Sequence, residues 1–314
     1  MPSLDRTTDD RQQDALNEPA FVAPTAYDAG PIKTIRSTKE QMQTRYDALI
    51  QIVSEAAPTG VRFTYYRAVS KGIVHKTNSG YVMVQRALMH LRENGTIPWS
   101  SIVDSSRWMR KPETWGSVEE MLSDAAASYR RDLWRTADTR VEVWCESESV
   151  AGVIGSETFR WDVPLFPIKG QTSASFAHSA AMEYRDDPRP VIVYYVGDHD
   201  PAGLEIEANL AAKLRTYSGR HDVQVRRLAC TPEQITDMAL IGTTPKKRSY
   251  SHPDRGSVPF TGLAVEVEAI DAPALRDLVS DAIVSHVDPE NYRLTMIAED
   301  SEREVLTAMA GRTR

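Results

Sequence analysis

Six consecutive β-branched or aromatic residues, Val191 to Val196, run into Gly197 and then into Asp198, His199, Asp200, Pro201 and Gly203. An apolar run of this kind, with no polar alternation, is what a central parallel strand covered on both faces requires, so the chain is expected to fold as α/β. Open α/β sheets bind ligands outside the carboxyl ends of their strands, which is where Asp198 and Asp200 fall. Two carboxylates that close repel each other unless a cation or a proton sits between them. Oxygen-only donors of this kind suit a hard ion such as Mg²⁺. Pro201 fits the first turn of a following helix, and Gly203 leaves room for a neighbouring backbone or a ligand. The same residues also read as a capping loop, with Asp200 as the N-cap.

A second acidic strand end lies upstream. The segment from Arg140 alternates toward Glu146 and enters a helix at about Glu148. A further strand is expected over Val163 to Ile168, followed by a turn at Gly170 and a helix from about Ser173. The order is strand, helix, strand, helix, strand, helix, and parallel neighbours would bring Glu146 to the same sheet edge as the aspartates. Over residues 140 to 228 this pattern resembles the Toprim domain of topoisomerases, primases and some nucleases, whose signature is a Glu after one strand and Asp-x-Asp after a later one. The resemblance implies a Rossmann-like parallel sheet in which Glu146, Asp198 and Asp200 hold Mg²⁺. It departs at Ser147, where many members carry Lys or Gly. Without the resemblance, Glu146 reads as an exposed strand-end carboxylate or a helix cap.

Length, charge and cysteine content narrow the class. The chain has 314 residues, a formal net charge of −7 and 41% hydrophobic residues, which leaves room for two domains. No apolar run is long enough to span a bilayer and no signal-peptide pattern opens the chain, so a cytoplasmic location and no membrane partner are expected. Cys145 and Cys230 lack metal-ligand spacing and are expected to be buried thiols. Residues 1–36, with Pro2, Pro19, Pro24 and Pro31, read as a flexible tail.

An acidic whole can carry a basic face. From Gly60 to Arg92 there are six Lys or Arg residues (Arg62, Arg67, Lys71, Lys76, Arg86 and Arg92) and no Asp or Glu, with His75 and His90 adding charge if protonated. Such an island suits a polyanion. Helices from about Arg62 to Lys71 and from about Ser79 to Asn94, separated at Gly72 and closed by Gly95, have helix-turn-helix proportions. Ile97 to Val103 would then supply the strands of a winged helix, placing an all-helical or winged-helix domain over 37–110. An ordinary helical domain with a solvated basic face fits the same pattern.

Tyr65 and Tyr66 stand side by side on the first of these helices, and adjacent helical residues point about 100° apart, so one is expected in the core and the other on the basic face. Arg-x-x-Tyr-Tyr on a winged helix, followed by a Toprim domain, resembles the A subunit of topoisomerase VI, the type IIB family. The nearest likeness is to the short stand-alone forms called Topo mini-A. The resemblance implies that Tyr66 attacks DNA and becomes linked to a 5′ phosphate, with Arg62 contacting that phosphate. It also implies a homodimer on double-stranded DNA, each reaction centre pairing the tyrosine of one protomer with the ion of the other. Phe63 and Thr64 depart from the family, which usually has an acidic and an aliphatic residue there. Arg67, Lys71, Lys76 and Arg86 are the expected DNA contacts, and Lys169 and Gly170 match a Lys-Gly turn often seen in the family. No GxxxxGK[ST] loop occurs, so ATP-driven strand passage would need a separate ATPase or replication partner.

The rest of the chain says less. Residues 111–139 read as a helical linker and 229–314 as a helix-rich extension, with Glu266 to Ile270 as a strand end and loop. Lys246, Lys247 and Arg248 form a second basic cluster, the His199 side chain should point away from the aspartates, and Glu299 to Glu304 read as a solvated helix. Three functions follow: a DNA-cleaving transesterase, a hydrolytic Toprim nuclease, or a DNA-binding protein of replication or recombination.

Overall fold

The computed structural model describes residues 38–103, 112–244, 260 and 262–312; the 1–36 segment and Lys246, Lys247 and Arg248 lie outside the described residues. In chain order the elements are α1 (Lys39–Ala56), α2 (Val61–Ser70), α3 (Asn78–Glu93), α4 (Val118–Ser128), β1 (Arg140–Cys145), α5 (Glu148–Arg160), β2 (Leu165–Pro167), α6 (Ala174–Arg185), β3 (Val191–Val196), α7 (Pro201–Ser218), β4 (Val223–Ala229), α8 (Pro232–Asp237), α9 (Ala272–Val284) and α10 (Pro289–Gly311). The four strands form one parallel sheet in the order β2-β1-β3-β4.

The apolar strands split their side chains between two helical layers. Val141, Val143, Cys145, Ile192, Tyr194 and Val196 pack with Val150, Val153 and Ile154 of α5 and Leu275, Val279 and Ile283 of α9. Trp144, Val191, Val193 and Tyr195 pack on the other face with Ala177, Ala181 and Tyr184 of α6 and Leu210 and Leu214 of α7. From β1 the chain crosses to β2 on one side and reaches β3 on the other, so the order reverses between β1 and β3. In doubly wound folds that reversal opens a crevice at the carboxyl strand ends.

One carboxylate lies inside the sheet. Glu142 on β1 is fully buried, accepts hydrogen bonds from Trp144 Nε1 (2.9 Å) and Tyr184 Oη (2.6 Å), and pairs with Arg140 Nε (2.9 Å). Every polar neighbour is satisfied, which is the condition under which a buried charge is tolerated.

The helices before the sheet have their own core, in which Leu49, Ile52, Tyr65, Tyr66, Val84, Leu88, Leu91, Ile97 and Ile102 come together. Thr77 caps α3 by accepting from Gly80 N. The expected wing strands over Ile97 to Val103 do not form. Trp99–Ser101 make a 3₁₀ turn after Pro98, and only Ile102 pairs, in a single parallel bridge to Thr59. Pro98 contributes no ladder donor, which disfavours a regular strand there. Near the chain end, α10 packs along α4, and Glu299 accepts from Arg131 N (2.8 Å) and pairs with Arg303 while Glu302 accepts from Tyr129 Oη (2.6 Å). The Glu299 to Glu304 stretch is thus partly an interface and not the wholly solvated helix its charge suggests. Cys145 and Cys230 are buried free thiols, and no helix among the described residues is long and apolar enough to cross a membrane.

Candidate active site

β1 and β3 are in register through Cys145 and Val196, so Glu146 and Asp198 emerge side by side at the reversal of strand order. Glu146 N donates to Val196 O (3.0 Å), and Asp198 N donates to the Glu146 carboxylate (3.0 Å). Asp198 Oδ1 accepts from Val267 N (2.9 Å). Asp200 caps α7 by accepting from Gly203 N (2.7 Å), so the capping role expected of it is met. Ser147 likewise caps α5 through Val150 N (3.2 Å). A Cβ on Gly203 would lie 2.1 Å from the Asp198 carbonyl oxygen, which explains the glycine: the helix start is pressed against the acidic loop's backbone.

Two further elements hold this loop. Arg227 of β4 donates to the carbonyls of Gly197 (2.8 Å) and Asp198 (3.1 Å) and pairs with Glu207 (2.8 Å). His199 pairs in an antiparallel bridge with Val265, through His199 N to Val265 O (2.8 Å) and Val265 N to His199 O (3.0 Å). The His199 ring stacks toward Phe260, with ring centroids 5.2 Å apart. The Lys169–Gly170 turn lies at the same edge: both residues have positive φ, Gly170 N donates to Glu146 O (3.2 Å), and Lys169 Nζ pairs with Glu148 (3.0 Å).

The bridge at Val265 brings in two carboxylates that the sequence reading passed over. Glu266 and Glu268 face α2, where Arg62 bonds Glu266 through Nη2 and lies 3.6 Å from Glu268 through Nε. Both tyrosines are buried, contrary to the expectation that one would be exposed, because the segment around 267–271 covers the face of α2 that a lone helix-turn-helix would leave open. Tyr65 donates to Thr77 O (3.2 Å) and packs edge-on against Tyr66 and Tyr81. The Tyr66 ring lies beneath Lys76 Nζ, 4.8 Å from the ring centroid. Beside it, a cavity of about 70 Å³ is lined by Tyr66, Arg67, Glu268 and Asp271. That holds about two waters at liquid density and no nucleotide, so a phosphodiester reaches Tyr66 only if this contact opens.

Electrostatics mark the same place. Burial first, then the Glu146 and Glu268 carboxylates, push Asp198 up to about 8. Burial also raises Glu146, partly offset by the Asp198 N–H, and raises Glu268, where Arg62 pulls the other way. Burial and then Glu266 hold the Tyr66 phenol well above its ordinary value. Glu146, Asp198 and Glu268 therefore form a half-buried to buried group of acids that cannot all ionise without a counter-charge. A concentration of shifted groups at a sheet's switch point is a functional-site signature, although structural ion networks produce shifts too.

Glu146, Asp198 and Asp200 each keep one oxygen without a hydrogen-bond donor among the described residues. Clustered carboxylate oxygens whose ionisation needs a counter-charge fit a hard divalent cation. Among the described residues no three His, Cys, Asp or Glu side chains converge closely enough to form a ready cage, so such an ion would draw the carboxylates inward.

The basic island is less free than its sequence suggests. Besides Arg62, Arg67 lies 3.7 Å from Asp271 and Lys71 lies 3.3 Å from Glu55, while Lys76 Nζ donates to Ile241 O (3.3 Å). Arg86 is exposed on α3 and has no acidic partner among the described residues. Arg92 lies over the Trp99 ring, 4.3 Å from its centroid.

The chain matches no family model and no curated protein. Its geometry is therefore the ground for a functional reading. Glu266 and Glu268 did leave a trace in the sequence, where Val265-Glu266-Val267-Glu268 spaces two carboxylates as Asp198-His199-Asp200 does.

Proposed function

We propose that this protein is a DNA-cleaving transesterase resembling the type IIB topoisomerase A subunit. The observation that carries the reading is that a tyrosine one turn from Arg62 shares a cavity with the buried Glu268, which Arg62 pairs, close to the half-buried Glu146 and Asp198 at the strand-order reversal of a parallel sheet. Tyr66 Oη would attack a backbone phosphorus. The Oη–P bond forms, the P–O3′ bond breaks, the phenolic proton leaves to a base, and the 3′ oxygen takes a proton from water. The product is a 5′-phosphotyrosyl link and a free 3′ hydroxyl that can later reverse the step. Glu146, Asp198 and Asp200 would hold Mg²⁺, which when bound neutralises charge building on the phosphate.

Arg62 would turn from Glu266 toward the incoming phosphate, a contact its planar fork favours. Arg86, with Arg67, Lys71 and Lys76 once released from their partners and Lys169 and Gly170 at the sheet edge, would track the backbone of double-stranded DNA. The reading includes a winged-helix-like role for α1 to α3, a cytoplasmic setting, a homodimer that cuts both strands, and an ATPase or replication partner wherever strand passage occurs.

One observation favours a second reading. Tyr66 is buried and held protonated, so a metal-dependent nuclease in which water attacks and Tyr66 only braces α2 fits this conformation. Supercoiled plasmid incubated with Mg²⁺, stopped with SDS and run with and without proteinase separates the two. Protein linked to 5′ ends, absent from Tyr66→Phe, is expected. Free ends that survive Tyr66→Phe would establish hydrolysis.

A further inference from the structure

β4 breaks its register where its one inward-facing charge stands. It pairs with β3 from Val191 against Val223 to Tyr195 against Arg227, then skips a residue so that Val196 faces Ala229, which leaves Leu228 as the extra residue of a β-bulge. Bulges beside a binding edge re-aim a side chain. Val223 and Val225 pack into the layer of α6 and α7. Arg227 leaves the strand on the same side, where its side chain is only 10% exposed and its guanidinium lies 5.3 Å from the Tyr195 ring centroid. All three guanidinium nitrogens are engaged. Nε donates to Glu207 of α7 (2.8 Å), Nη1 to the carbonyls of Gly197 (2.8 Å) and Asp198 (3.1 Å), and Nη2 to the Gly203 carbonyl (3.4 Å) in the first turn of α7.

These bonds converge on Asp198. Its N–H reaches the Glu146 carboxylate (3.0 Å), its carbonyl accepts from Arg227, and its Oδ1 accepts from Val267 N (2.9 Å), so three separate elements fix one residue. Resting on the ion site of the reading above, we infer that Arg227 is the positioning residue of that site: its fork holds the Gly197–Asp198 backbone so that the Asp198 and Asp200 carboxylates stand beside Glu146 at the sheet edge. A planar guanidinium meets Glu207 and two successive carbonyls from separate nitrogens, whereas a lysine has one nitrogen for all of them. Charge and geometry make opposite demands here. The positive charge of Arg227 repels an incoming cation, so a purely electrostatic role requires tighter ion binding once it is removed, and a positioning role requires weaker binding. Without the fork the buried Gly197 carbonyl loses this donor. The backbone relieves that cost by shifting, and Asp198 shifts with it.

The test measures Mn²⁺ binding to the purified full chain by electron paramagnetic resonance, without DNA, since Mn²⁺ shares the oxygen-ligand preference of Mg²⁺. The wild type is compared with Arg227→Gln, Arg227→Lys and, as the variant lacking a ligand, Asp198→Asn. Removing a group that orients metal ligands weakens binding by about 10–100-fold, and a fall of about that size is expected for both Arg227 variants, the lysine showing that charge alone does not rescue the site. Circular dichroism establishes which variants are folded, and Arg227→Lys, which keeps the charge, carries the test if Arg227→Gln unfolds. A folded Arg227 variant that binds Mn²⁺ as tightly as the wild type, or more tightly, overturns the inference and leaves the ion site standing, even where its urea midpoint has dropped. A wild-type chain that binds no Mn²⁺, or an Asp198→Asn chain that binds as well as the wild type, overturns the ion site and the inference with it.

Discussion

Replacing Arg62 with Ala tests whether α2 is fastened to the acidic segment as described. At 3.6 Å from Glu268 Oε1, the gross attraction at an effective dielectric near 20 is roughly 4–5 kcal/mol. The Arg62 side chain is about half exposed (48%) while Glu268 is 4% exposed. Hydration of the freed guanidinium site and solvent screening therefore return much of that energy, and about 2 kcal/mol of net loss is expected. Glu266, itself 37% exposed, adds at most about 0.5–1 kcal/mol. The loss should carry a pH signature. Glu268 already sits above the ordinary carboxylate range, so its ionisation opposes folding, and removing Arg62 raises it further. The destabilisation should therefore be small in acid, where Glu268 is protonated in both states, and grow as pH rises through its folded pKa. The assay is urea or thermal unfolding of the wild type, Arg62→Ala, Glu268→Gln and the double variant at pH 5 and pH 8. A shift of about 3 °C at pH 8 is expected for the single Arg variant in a chain of 314 residues, largely recovered in the double variant. Equal stability losses in the single and double variants, or a coupling indistinguishable from zero, would refute the fastening.

Two further outcomes follow from the same geometry. Asp198, pushed up to about 8, keeps its proton in the folded chain between pH 4 and pH 8 while the unfolded chain loses it, so in chelator the group's contribution to stability is present in acid and falls as pH rises through that window; Asp198→Asn should gain about 2–4 kcal/mol relative to wild type between pH 5 and pH 8, at about 1.4 kcal/mol per unit, and a pH-independent difference in unfolding would contradict this. Arg86→Ala should lower the slope of log affinity for duplex DNA against log salt by about 1 in fluorescence anisotropy, whereas an unchanged slope would remove Arg86 from the interface.

Three of the four strands were legible because they carry short, largely apolar runs that end at polar turns, which also put Glu146 and Asp198 one or two residues past a strand end; β4, where Gln224, Arg226 and Arg227 interrupt the apolar residues, was not read as a strand. Asp200 illustrates an ambiguity the sequence could not remove, since one carboxylate can cap a helix through one oxygen and leave the other free. The partners of α2 were not legible. Arg62 and Glu266 are 204 positions apart, and an alternating Val-Glu-Val-Glu reads as half-exposed structure until a second element is known to cover it. The same missing cover made Tyr66 look exposed. At Ile97 to Val103 the error was local: Pro98 and a tight turn prevailed over apolar residues that otherwise favour a strand.

β1 carries Glu142 near its start and Glu146 just past its end, and their surroundings give that strand an unequal mechanical role. Trp144, Tyr184 and Arg140 lock Glu142 into the layer between β1 and α6, so the sheet is the fixed jaw of the cleft. Because the space beside Tyr66 admits no nucleotide, entry of a large ligand must be met by α2 moving from the 265–268 segment, which buried Val265 and Val267 and the Val267 N–Asp198 bond hold to the sheet, while α2 is joined to its carboxylates by ion pairs of Arg62. The energetic threshold for opening is thus set by side chains far apart in sequence, while the edge that would receive an ion stays where the sheet puts it.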